Sequence, residues 1–239
     1  MTALVLLPGL LCDRAVFEPM LPALATHAQC HIPHYHDERS LAAMAQRALH
    51  GAPERFALLG HSMGGRVALE ILRSAPERVE RVALLDTGYE PLEEGEAGAR
   101  ERAGRLEMLE VARTQGMRAM GRRWVQRMVH PDRLDDAALI DAILDMVERR
   151  NTVEFAAQIQ ALLTRPDAWS VLAALRVPAL VLCGREDGWS PLARHEDMAA
   201  RIPGARLAVI DRCGHMCTME QPTMVADAVV AWLFAPDRR

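Results

Sequence analysis

Short apolar runs alternate with segments of helical period along this chain, and few architectures accommodate that rhythm. Residues 3–7, 55–59, 79–85, 179–183 and 206–210 form such runs, with 30–35 a weaker strand candidate. Ser40 is placed to cap a helix whose apolar side chains fall at Leu41, Met44, Ala45, Ala48 and Leu49. Further helices are expected from Ser62 to about Arg73, over 191–201, and over 222–234, the last with Met224, Val225, Ala228, Val229 and Leu233 on its apolar positions. Strands apolar throughout and separated by helices imply a parallel sheet covered on both faces. The rhythm stops near Thr87. From Tyr89 to about Thr164 the pattern is helical only, divided by Pro91, Gly95, Gly98, Gly104, Gly116, Gly121 and Pro131. That stretch reads as a helical cap (residues 89–164) inserted into an α/β core (residues 1–88 and 165–239).

Composition excludes several classes of function. A chain of 239 residues fits one α/β domain with one sizeable insertion. Aromatics are only 4%, so the core must be built from Leu, Val, Ala and Met. A net charge of -4 offers no electrostatic grip on nucleic acid or an anionic membrane, and the arginines between 100 and 150 are interleaved with acids. No run reaches the roughly 18 apolar residues of a membrane span, and the first run lacks the leader and cleavage site of a signal peptide. Cys12, Cys30, Cys183, Cys213 and Cys217 form no CxxC pair. Reduced thiols in a cytoplasm are therefore expected. The partner expected is a small-molecule substrate, with no cofactor, for a monomer or homodimer.

The chemistry concentrates in three loops. Gly60-His61-Ser62-Met63-Gly64 lies between an apolar run and a helix start, followed by Gly65. A serine in a tight strand-to-helix turn projects its hydroxyl above the sheet, and only small neighbours fit such a turn. A serine hydroxyl needs a base to become a nucleophile. His215, in Cys213-Gly214-His215 after the run 206–210, sits on a loop at the same sheet edge. Asp187, in Gly184-Arg185-Glu186-Asp187-Gly188, is placed to orient that imidazole, with Asp86 and Glu186 as competing acids. An oxyanion needs N–H donors. Met63 supplies one, and the loop Pro8-Gly9-Leu10-Leu11 the other, at Leu10. His61 is expected to line the back of the turn. His31, His34 and His36 superficially resemble metal ligands. Strand alternation would put His34 and His36 on one face and His31 on the other, and no carboxylate cluster accompanies them. Tyr89, Trp124 and Trp189 are candidate pocket walls, each equally suited to plain packing. Met120, Trp124 and Met128, at helical spacing, read as core or pocket cover.

Leu7-Pro8-Gly9-Leu10, Gly60 to Gly65, Gly184-Arg185-Glu186-Asp187, and Gly214-His215 followed by Glu220-Gln221-Pro222 together resemble the α/β-hydrolase superfamily over nearly the whole chain. The order Ser62, Asp187, His215 is that superfamily's order. Within it the chain is similar to small single-capped bacterial hydrolases near 3-oxoadipate enol-lactonases and carboxylesterases. The resemblance implies a mostly parallel sheet, a helical cap over the pocket and acyl-enzyme chemistry without a metal. Many members carry His-Gly where this chain has Pro8-Gly9, a change that leaves the backbone donor of Leu10 in place. The chain starts at the strand that usually comes third, so about six strands are expected, with the cap after the fourth. Cleavage of a small carboxylic ester or lactone is the activity expected. A carbon–carbon bond hydrolase and a cofactor-free perhydrolase use the same triad, and a non-catalytic small-ligand receptor is the alternative of another class. Serine in place of aspartate argues against a dehalogenase.

Overall fold

The computed structural model describes residues 2–236. Its strands are β1 (Thr2–Leu7), β2 (Ala28–His31), β3 (Phe56–His61), β4 (Val79–Leu85), β5 (Ala179–Gly184) and β6 (Arg206–Ile210). They form one sheet in the order β2-β1-β3-β4-β5-β6, every pairing parallel. The helices before β4 are α1 (Leu21–Ala25), α2 (Leu41–His50) and α3 (Met63–Ser74). Between β4 and β5 come α4 (Gly95–Gln115), α5 (Met117–Trp124), α6 (Ala137–Glu148), α7 (Thr152–Leu163) and α8 (Trp169–Ala174). The chain closes with α9 (Leu192–Arg201), α10 (Cys217–Glu220) and α11 (Pro222–Leu233).

Period-two alternation divides the apolar strands between two cores. Val5 and Leu7 of β1, with Phe56 and Leu58 of β3, face the side covered by Met44 of α2 and Val67 and Ile71 of α3. Leu4, Leu6, Ala57 and Leu59 face the other side, against Leu24 of α1 and Val225 and Val229 of α11. Ser40 caps α2 as its sequence implies, its Oγ accepting from the Ala43 N–H at 3.1 Å.

Two expectations need correction. The weak strand 30–35 lies instead at Ala28–His31. Pro33 removes a donor and restricts Ile32 before it, so the edge strand stops there. His34 and His36 therefore sit in a loop, not on a strand face, with their ring centroids 4.4 Å apart. In α11, Met224 is exposed, because the buried face is set by Val225, Ala226, Val229 and Trp232. The Trp232 indole N–H donates to the Pro178 carbonyl at 3.2 Å, which fixes that rotation.

From β1 the chain crosses to the edge strand β2, then returns to β3 on the other side of β1. The winding direction reverses there. In open parallel sheets the crevice at such a reversal, beyond the carboxyl ends of the strands, is where ligands bind. The Leu10 loop follows β1 and Ser62 follows β3, so both border that crevice.

Candidate active site

Ser62 has φ 54° and ψ −119°, a conformation that side chains rarely adopt. Strain of this kind costs about 1–3 kcal/mol. Three hydrogen bonds hold it. The Ser62 N–H donates to the Leu85 carbonyl at 2.9 Å, and the Ser62 carbonyl accepts from Gly65 N–H at 2.9 Å and from Thr87 Oγ1 at 2.7 Å. At roughly 1 kcal/mol net apiece these offset the strain. The turn also needs its glycines. A Cβ on Gly64 would lie 2.0 Å from the Leu7 carbonyl oxygen, and one on Gly60 would lie 2.4 Å from the Gly64 carbonyl oxygen.

The hydroxyl raised by this turn meets His215. Ser62 Oγ lies 2.8 Å from His215 Nε2, and His215 Nδ1 lies 2.8 Å from Asp187 Oδ2. Neutral His215 thus donates from Nδ1 to the carboxylate and accepts at Nε2 from the serine. Asp187 Oδ1 accepts from the backbone N–H groups of Trp189 and Ser190, both at 2.8 Å. Asp187 and His215 are both buried. Burial alone would raise the carboxyl and lower the imidazole. The attraction between them outweighs it, so Asp187 lies below the usual carboxylate range and His215 above its ordinary value.

The two rival acids are engaged elsewhere. Asp86 Oδ1 accepts from Gly184 N–H at 2.9 Å, while its Oδ2 receives no N–H or O–H donor among the described residues. Burial and the Asp187 charge push the Asp86 carboxyl well above its normal range. Glu186 Oε2 accepts from Cys213 N–H at 3.0 Å. His61 packs behind the relay, its Nε2–H donating to the His215 carbonyl at 2.8 Å. Burial and the neighbouring His215 lower it to about 4, so it is neutral near pH 7.

Leu10 and Met63 both line the cleft over Ser62 and His215. Met63 is the first residue of α3, where backbone N–H groups have no partner within the helix. Among the described residues the Leu10 N–H likewise has no protein acceptor. Trp124, Met128 and Trp189 line the same cleft, and Met120 is buried. Tyr89 does not line it. Its ring is buried and its hydroxyl pairs with Asp197.

Three supporting residues have roles that the sequence does not reveal. Gln158 of α7 is buried and its Oε1 accepts from the Leu11 N–H at 2.8 Å, fixing the loop that presents Leu10. Leu11 itself has φ 62°, so this loop is strained and needs that support. Glu220, buried, accepts through Oε1 from Gly214 N–H at 3.0 Å and Met216 N–H at 3.2 Å, on either side of His215. His195 accepts from the Thr87 N–H at 3.0 Å, steadying the loop that holds the Ser62 carbonyl. Of the three, Glu220 alone lies in a stretch that carries the family resemblance, Glu220-Gln221-Pro222, and His195 sits beside a helical segment without a motif.

The histidine trio resolves differently. His34 Nδ1 accepts from the His36 N–H at 2.9 Å, and His34 Nε2 contacts the Arg150 guanidinium. Among the described residues no helix is long and apolar enough to cross a membrane.

Residues 4–228 match the model of the alpha/beta hydrolase family. The chain is 27% identical to a pimeloyl-[acyl-carrier protein] methyl ester esterase of Klebsiella pneumoniae, over 95% of this chain and 92% of that protein. It is 26% identical to a 2-hydroxy-6-oxononadienedioate/2-hydroxy-6-oxononatrienedioate hydrolase of Cupriavidus pinatubonensis, over 75% of this chain but only 62% of that protein's length. Among solved structures, a thermophilic esterase from Thermogutta terrifontis (malate bound) superposes with a TM-score of 0.85 at 26% identity, covering 98% of this chain and 89% of that one.

Proposed function

Since the chain belongs to the alpha/beta hydrolase family, we propose that it is a serine hydrolase cleaving a small carboxylic ester or lactone through an acyl-enzyme. The observation that carries this reading is the unbroken relay Ser62–His215–Asp187 on the strained turn, with both links at 2.8 Å. Ser62 Oγ attacks the carbonyl carbon as His215 Nε2 takes its proton. The oxyanion that forms is held by the N–H groups of Leu10 and Met63. His215 then protonates the departing alkoxide, which leaves as the alcohol. Water, deprotonated by His215, attacks the acyl-enzyme and releases the acid and free Ser62. Asp187 stays ionised throughout and stabilises the imidazolium. Asp187 is the acid in this reading because it touches His215, whereas Asp86 and Glu186 are spent on backbone N–H groups.

Residues 89–164 act as a cap in this reading. Its support is that Trp124, Arg127 and Met128 from this stretch line the cleft over Ser62. A cytoplasmic setting is supported by the five free thiols. The relative from Cupriavidus, named as a hydrolase of a nonadienedioate, keeps carbon–carbon cleavage on the same triad as the second reading.

Initial rates on p-nitrophenyl esters of increasing acyl length test the proposal. Turnover that falls by about 10⁴–10⁶ in Ser62→Ala is the expected outcome. Equal rates in both proteins would remove Ser62 from the chemistry.

A further inference from the structure

The whole chain is acidic, with a net charge of -4, yet the cleft over Ser62 is not. Six arginines line it against three glutamates and Asp86. The cleft, about 360 Å³, suits a small molecule. Some of these cations are already neutralised. Arg165 donates to both Glu101 oxygens, at 2.7 and 2.8 Å, and Arg105 Nε shares that carboxylate at 2.9 Å. Arg194 lies 3.4 Å from Glu90.

Arg66 is different. It stands one turn along α3 from Ser62 and lines the same cleft. Among the described residues its guanidinium makes one hydrogen bond, to the Glu90 backbone carbonyl at 2.8 Å, and no ion pair. Burial, with the charges of Arg165 and Arg194 nearby, pushes it down to about 9. Half-buried in this cleft, the guanidinium keeps spare N–H donors and has no carboxylate within ion-pair distance among the described residues, an arrangement that favours an arriving anion. Arg127, exposed at the same cleft, is a second cation without an ion pair among the described residues. Its recorded partners are the Gly188 carbonyl at 3.3 Å and the face of Trp189 at 5.5 Å. Guanidinium groups with spare N–H donors match carboxylate oxygens in a planar fork.

We infer that Arg66, with Arg127, forms a subsite for a substrate carboxylate, so that the preferred substrate is an ester or lactone carrying a second, ionised carboxyl group. This inference rests on the hydrolase reading of Ser62 and adds the substrate's charge to it. Hydrolysis of such a monoester releases a dicarboxylate and an alcohol, with water as the only co-reactant.

The test separates binding from turnover. Ser62→Ala is titrated calorimetrically with monomethyl glutarate and with dimethyl glutarate, its neutral match. At least about tenfold tighter binding of the monoanion is expected, shrinking as salt rises. Adding Arg66→Gln brings the ratio toward one. If that variant does not fold, Arg127→Gln must lower the same ratio. Equal binding of the two esters, or a preference that survives both arginine changes, overturns the subsite. Ser62-dependent turnover of the same esters is measured separately. Turnover without charge preference removes the subsite and keeps the hydrolase. Charge preference without turnover keeps the subsite and removes the hydrolase.

Discussion

At the residue scale, two buried carboxyls near one histidine have opposite tasks. Asp187 receives three donors and carries charge, whereas Asp86 receives one backbone N–H and is pushed toward the neutral acid. Asp187→Asn removes the charge that stabilises the imidazolium and is expected to lower kcat/KM by about 10⁴. Asp86→Asn replaces a near-neutral acid by a neutral amide of the same shape and is expected to cost less than about tenfold. Steady-state kinetics on one ester distinguishes the two, and equal losses would contradict the assignment. His215 must be unprotonated to act as base. Its value is raised by Asp187, so kcat/KM should rise with pH through a midpoint above 6.5, the ordinary histidine value. A pH–rate profile with its midpoint below 6.5 would contradict the pairing.

At the scale of elements, the site depends on how closely α3 approaches β1. Gly64 sits against the Leu7 carbonyl, so Gly64→Ala drives backbone against backbone. A destabilisation of at least about 2 kcal/mol is expected, read as a lower urea midpoint. Among the described residues one hydrogen bond joins α7 to the Leu10 loop, from the Leu11 N–H to Gln158. Gln158→Leu leaves the buried Leu11 N–H unpaired and frees the loop. Because Leu10 is assigned to the oxyanion, the loss should fall on kcat, by about 10–100-fold, with KM changed little. A change confined to KM would place Gln158 in substrate binding instead.

For the whole molecule, stability at low pH reflects groups buried in their neutral form. His61 and His195 both lie near 4, chiefly through burial, whereas an unfolded histidine titrates near 6.5. As pH falls from 6.5 toward 4, the unfolded state gains protons that the folded state refuses, so these residues lower stability over that window. The raised carboxyls of Asp86 and Glu220 act in the opposite direction, since the folded state holds their protons more tightly. Comparing wild type with His61→Gln isolates the histidine, because Gln keeps a donor for the His215 carbonyl but does not titrate. Urea unfolding at pH 7 and pH 5 should show a smaller loss in the variant, by about 1–2 kcal/mol. An identical loss in both proteins would mean that His61 is protonated in the fold.

Local physics made much of this protein legible from its sequence. Apolar runs of strand length, a Ser40 cap and a glycine-flanked serine each act within a few residues, so the six-stranded parallel sheet and the turn at Ser62 could be read directly. The misreadings at 30–35 and at Met224 arose where an edge strand met a proline and where one bulky residue, Trp232, set a helix's rotation. Long-range packing decided the rest. Which carboxyl touches His215 depended on the backbone donors around Asp86, Glu186 and Asp187. The support of Leu11 by Gln158 joins residues 147 apart in the chain, and the placing of Arg66 against the Glu90 carbonyl rather than a carboxylate depends on how the segment after β4 packs on α3. Hydrophobic periodicity determines which elements form and which faces they bury. Polar pairing across elements depends on distances that exist only after those faces have packed.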